Sequence, residues 1–129
     1  MIQFYLAGPY TGPDQAAIWR NVVTACRVAA EIALHRGWWP IVPHTSGIHS
    51  DTGLRDEAWA QAMKKCIHTV VQLRPHIDKL VLMPGWETSE GARIEARRAR
   101  DLEIDVWTME QALDPQVLDF EVDPEEVAP

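Results

Sequence analysis

Lys79-Leu80-Val81-Leu82-Met83-Pro84-Gly85-Trp86-Glu87-Thr88-Ser89-Glu90-Gly91 is the stretch that decides the fold. A short apolar run halted by Pro-Gly reads as a buried strand followed by a turn. A helix then starts at Ser89 or a neighbour, serine being a favoured N-cap, and extends to about Leu102. Upstream, Asp56 to Leu73 reads as a helix with Trp59, Met63, Cys66, Ile67 and Val70 along one side, broken by Arg74-Pro75-His76. Downstream, Ile104 to Trp107 is a short strand, with a helical turn or two near Glu110–Leu113.

The same alternation opens the chain. Ile2 to Ala7 is a short apolar strand stopped by Gly8-Pro9. Residues 14–36 follow with Ile18, Val22, Ala25, Ala29 and Ile32 at helical spacing, Arg20, Arg27 and Arg36 outside, and Gly37 as the stop. Trp38 to Pro43 reads as a second strand whose prolines favour an edge position or strand ends. Strands alternating with crossover helices predict a three-layer α/β fold with a parallel sheet of four or five strands. A fifth strand has room in 43–54; otherwise dimerisation would cover an edge.

The chain has 129 residues, 47% of them hydrophobic, which fits one domain and excludes intrinsic disorder. No apolar run is long enough to cross a bilayer, and the N-terminus has no basic region leading into a long apolar segment, so neither a membrane nor a secretory route is expected. Cys26 and Cys66 read as small buried hydrophobes in a reducing, cytoplasmic setting. Formal net charge is −7, but six acids and no base fall from Asp114 onward. Residues 1–113 therefore form a nearly neutral domain, and 114–129 an acidic tail that is either solvated or laid against a neighbouring subunit. Such a surface disfavours long nucleic acid but leaves room for a single nucleotide.

In an open parallel sheet the ligand lies beyond the carboxyl ends of the strands. Three such ends carry Gly8-Pro9-Tyr10-Thr11-Gly12, Pro43-His44 and Pro84 to Gly91, so Tyr10, His44 and Ser89 converge on one rim. Ser89 with Gly91 either holds an anion at a helix N-terminus or merely caps and relieves crowding. Glu95 shares its helix stripe with Ala92, Ala96 and Ala99, while Arg93, Arg97 and Arg100 take the solvated side. A carboxylate facing the sheet must be paired, with Arg98 as the nearest candidate, or functional. Asp56 and Glu57 open the middle helix within reach of the rim, and Asp78 at the amino end of a strand reads as a structural acceptor. The dinucleotide fingerprint, the phosphate-binding Walker loop, H-E-x-x-H and the G-x-S-x-G elbow are all missing, and no metal is expected.

Taken together, Leu6-Ala7-Gly8-Pro9-Tyr10-Thr11-Gly12, Asn21, Gly37, Pro40…Pro43-His44, Trp59 and Pro84-Gly85-Trp86-Glu87-x-Ser89-x-Gly91-Ala92-x-x-Glu95 with Ala99 resemble the nucleoside 2-deoxyribosyltransferase superfamily, in particular its small bacterial and phage branch, over residues 1 to about 109. The resemblance implies a flavodoxin-like (Rossmann-like) fold and cleavage of an N-glycosidic bond, by hydrolysis or deoxyribosyl transfer, without a cofactor. Glu95 matches the family's nucleophile and Tyr10 the rim tyrosine that orients it. Ser89 stands where transferases on free nucleosides carry an acid and where deoxynucleoside 5′-monophosphate N-glycosidases carry serine. The implied substrate is thus a nucleoside or nucleoside 5′-monophosphate, bound by Gly8, His44, Ser89 and Gly91. Cys66 falls at the position of an aspartate that active members carry, and Asp56 is the carboxylate on the same rim that would replace it. A homodimer or higher homo-oligomer, with a neighbour completing the site, is also implied. The rival expectation is a nucleotide-binding or regulatory protein that keeps the fold without the chemistry.

Overall fold

The computed structural model describes residues 1–10, 14–43 and 55–119, with the side chains of 55–58 excepted. Its elements alternate as the sequence predicts: β1 (Gln3–Ala7), α1 (Gln15–Arg36), β2 (Trp39–Ile41), α2 (Arg55–Val70), β3 (Lys79–Leu82), α3 (Glu90–Asp101), β4 (Asp105–Thr108) and α4 (Met109–Leu113). A 3-10 turn at Trp86–Thr88, which the sequence pattern did not reveal, separates β3 from α3.

All described strands are parallel, in the order β2-β1-β3-β4. Both prolines near β2 are therefore accommodated at an edge, where a missing amide donor costs no ladder bond. The chain leaves β1 towards β2 on one side and later returns to β3 on the other. The crevice between the carboxyl ends of β1 and β3 is thus the topological switch point, where α/β folds place their ligands. The possible fifth strand in 43–54 falls outside the described residues.

Alternation along the strands builds two cores. Phe4 and Leu6 face α1, packing with Ala25, Val28, Ala29 and Ile32, and with Ala112 of α4. Tyr5, Ala7, Leu80 and Leu82 face the other way, against Cys66 and Val70 of α2 and Ala92, Ala96 and Ala99 of α3. Covering both faces explains why β1 reads as an uninterrupted apolar run rather than an alternating one. The alanine stripe lets α3 lie close to the sheet.

The helix ends follow their sequence signals. Asp14 accepts from the Ala17 amide at 2.8 Å, and Gly37 ends α1 with φ of +72°, a left-handed conformation suited to glycine. Asp78 is the structural acceptor expected: its carboxylate receives the Gln3 and Arg74 amides at 2.9 and 2.8 Å and also the Arg74 guanidinium.

Two expectations are corrected. Cys26 is exposed, because its position on α1 turns away from the sheet, while Cys66 is buried. Arg36 is not simply solvated: it stacks on Trp38 and Trp107 and donates to the carbonyls of Gln111, Ala112 and Asp114. Within the tail, Asp119 reaches back to Lys79 at 3.1 Å, and residues 120–129 lie outside the described residues. Lys79, fully buried, also holds Asp105 at 2.8 Å, a cation the sequence reading did not single out.

Candidate functional site

A cavity of about 300 Å³ opens at the switch point. Its walls come from the segment after β1 (Gly8, Pro9, Tyr10), from Pro43 after β2, from Trp59, Met63 and Cys66 on α2, and from Thr88 to Ala92 together with Glu95. Three strand ends distant in sequence meet there because parallel strands deliver their carboxyl ends to one rim.

Glu95 is the carboxylate of this cavity. It sits on the inner stripe of α3 and is only 6% exposed. Arg93, Arg97, Arg98 and Arg100 are all exposed, and no ion pair neutralises Glu95 among the described residues. Burial pushes its pKa from 4.5 up to about 7, partly offset by the neighbouring Tyr5 phenol.

Tyr5 is the site residue that sequence reading missed. Its hydroxyl and the Glu95 Oε2 both lack a hydrogen bond of regular geometry, yet they are close enough to act on each other electrostatically. Burial raises the Tyr5 phenol far above its usual range, and the Glu95 and Cys66 charges add to that rise. The phenol therefore stays protonated and can only donate towards the carboxylate. A signal did exist in the sequence: a tyrosine inside an apolar strand carries a hydroxyl that needs a partner. Its parity with Ala7 puts it on the α3 side of the sheet.

Cys66 completes the group. Burial raises its thiol pKa; Tyr5 opposes this and Glu95 reinforces it. The position where the family resemblance expects an acid thus holds a neutral thiol beside Glu95 and Tyr5, and a second carboxylate there would have repelled the first.

Ser89 and Gly91 line the cavity, but each also has a local task. Ser89 Oγ accepts the Ala92 amide at 3.2 Å as the N-cap of α3. A Cβ on Gly91 would stand 3.1 Å from Met63 Sδ, and one on Gly8 would strike Met83 at 2.7 Å. Both glycines therefore permit close packing against methionines as well as bordering the cavity. Ser89 keeps its hydroxyl proton as a donor, and Glu90 and Gly91, the first residues of α3, line the same cavity.

Tyr10 lines the cavity, and its carbonyl receives the Asn21 side-chain amide at 2.9 Å, which ties the rim segment to α1. His44 and the Asp56 side chain lie outside the described residues. No group of three or more potential metal ligands occurs among the described residues. No described helix is long and apolar enough to cross a membrane.

No curated protein matches the chain significantly. The profile of one family does match, over residues 2–108, which takes in the whole sheet and every described wall of the cavity; the chain belongs to the family described as a domain of unknown function, DUF4406.

Proposed function

We propose that the protein cleaves the N-glycosidic bond of a nucleoside or deoxynucleoside 5′-monophosphate, with Glu95 as nucleophile. The observation that carries this reading is the placement of Glu95: buried, without a cationic partner among the described residues, and lining the cavity at the switch point. Uncompensated burial of a carboxylate costs stability, so a chain that retains one in a ligand-sized cavity has a use for it.

The chemistry follows from the groups present. As the bond between C1′ and the base nitrogen lengthens, positive charge develops on the sugar and favours an adjacent carboxylate. A Glu95 oxygen donates an electron pair to C1′, and the bonding pair leaves with the base, which takes a proton from solvent. The resulting glycosyl ester is opened by water or by a second base, which restores the carboxylate. The Tyr5 phenol, which can only donate towards a carboxylate, would limit the orientations of Glu95. Ser89 and the first α3 amides would hold the sugar's 5′ substituent, a phosphate being favoured by the helix terminus. With its pKa near 7, Glu95 is half neutral at pH 7; developing charge on C1′ draws it towards the ionised form.

The test is a panel of nucleosides and deoxynucleoside 5′-monophosphates assayed for released base, with Glu95→Ala as control and with or without an added acceptor base. Base release that persists in the variant removes Glu95 from the mechanism. Preference for phosphorylated substrates supports the Ser89 assignment, and equal cleavage of free nucleosides refutes it.

A second reading, nucleotide binding without chemistry, draws on Cys66 occupying the place of an expected aspartate. Tight binding of a nucleotide with no base release by wild-type protein, and base release gained in Cys66→Asp, would favour it.

A further inference from the structure

We propose that the outer face of α1 pairs, antiparallel, with the same face of a second copy of this chain. Ala16, Trp19, Val23, Cys26, Ala30 and Leu34 recur at intervals of three and four, so they form one stripe along the helix. The stripe lies opposite the residues that pack on the sheet, and all six side chains are exposed. Trp19 and Val23 are each 60% exposed and Leu34 is 89% exposed, although a solvated helix face is ordinarily polar. A second apolar stripe on a helix already docked by its first one calls for a partner.

Self-complementarity makes that partner another copy. A two-fold axis passing between Thr24 and Ala25 sets Trp19 of one helix against Ala30 of the other, and Val23 against Cys26, so in the central layers a larger side chain meets a smaller one, with Ala16 and Leu34 at the two ends. A two-fold interface requires such self-matching of a single patch. On the flank of the stripe, Arg20 and Glu31 are placed almost symmetrically about the same axis, and neither is neutralised within its own chain among the described residues. Pairing brings Arg20 of each copy towards Glu31 of the other, twice by symmetry; Arg27 shares the flank, one turn before Glu31. Helices about 33 Å long in contact throughout would bury on the order of 1,200 Å² in total, the lower bound for a stable specific interface. The dimer is therefore expected to dissociate on dilution.

Cys26 reports on the geometry without mutagenesis. Around this axis the two Cys26 residues are offset by three residues along the helices, so their Cα atoms stand about 6–8 Å apart for helices packed at 8–10 Å with Cα atoms about 2.3 Å inward of each axis. That separation lies within reach of a short bis-maleimide and at the upper limit for a disulfide. Sedimentation velocity of the full chain across a hundredfold concentration range should show a species of twice the 14.6 kDa chain mass at high concentration. Val23→Glu should abolish it at every concentration with an unchanged far-UV circular dichroism spectrum, because Val23 contributes nothing to the core. The bis-maleimide should join wild-type chains through Cys26. A wild-type chain that is monomeric throughout, or a dimer indifferent to Val23→Glu, overturns the proposal. A dimer that the bis-maleimide fails to join through Cys26 overturns the placement of the axis.

Discussion

Tyr5 of β1 and Glu95 of α3 bring a protonated phenol and a buried carboxylate together beside the cavity at the switch point. Burial is the main cause of both raised pKa values, and each group also acts on the other: Glu95 raises the phenol and the phenol lowers Glu95. Because the phenol lowers the Glu95 pKa, removing it should raise that value further. Tyr5→Phe is expected to move the acidic limb of the activity profile alkaline by about half a unit to one unit. Base release measured from pH 5 to 9 checks this, and an unmoved limb would separate Tyr5 from Glu95.

The carboxylate itself should leave a mark on stability. Burial lifts Glu95 from 4.5 to about 7. Between those values the folded chain keeps a proton that the unfolded chain has released, so stability falls as pH rises through the window and stays lower above it. Glu95→Gln removes this titration while preserving shape. Its benefit at pH 8 should exceed its effect at pH 4 by about 3 kcal/mol, the free energy of a shift of that size. Urea unfolding of both proteins at the two pH values provides the measurement, and a pH-independent difference would mean that Glu95 titrates normally.

The two thiols should differ in reactivity. Cys26 is exposed, whereas Cys66 is buried with its pKa raised, which suppresses the reactive thiolate. In dilute native solution at pH 7.5, a disulfide-exchange chromophore should titrate one thiol quickly and the second only after denaturation. Rapid reaction of both would contradict the burial of Cys66.

How far the sequence disclosed this molecule can be traced residue by residue. The Lys79 to Gly91 stretch announced strand, stop and helix because each local signal (apolar run, Pro-Gly, serine cap) agrees with the tertiary role. Glu95 was legible because a charge on an alanine stripe contradicts the stripe. Tyr5 was not, since within an apolar strand its ring satisfies the pattern and only its hydroxyl dissents. Cys26 misled for the opposite reason: cysteine is a common core residue, and nothing local distinguishes the sheet-facing stripe of α1 from the second stripe opposite it. Lys79 was also hidden, because its partners Asp105 and Asp119 are 26 and 40 residues away.

Ser89 can be tested apart from any substrate. Its Oγ accepts the Ala92 amide, one of the free donors at the start of α3. Ser89→Ala should cost about 1 kcal/mol of stability through the lost cap, and Ser89→Asp should restore the cap. If Ser89 also holds a 5′-phosphate, Ser89→Asp will fold as well as wild type yet bind phosphorylated nucleosides poorly, because the new carboxylate repels the ligand. Unfolding midpoints read the first effect and calorimetric titration with a deoxynucleoside monophosphate reads the second. Unimpaired binding by Ser89→Asp would confine the residue to capping.

Lys79 offers the sharpest stability test away from the cavity. Its ammonium is fully buried, 2.8 Å from Asp105, 3.1 Å from Asp119 and 5.7 Å from the centre of the Trp107 ring. Lys79→Met keeps the volume but removes the buried cation that Asp105 and Asp119 share, a change expected to cost about 3–5 kcal/mol. Asp119→Asn leaves Lys79 with Asp105 and should cost only about 1–2 kcal/mol. Denaturant unfolding at pH 7 checks the ordering. Equal costs for the two variants at pH 7 would mean that Asp119, and with it the start of the acidic tail, is not fastened to the sheet by this lysine.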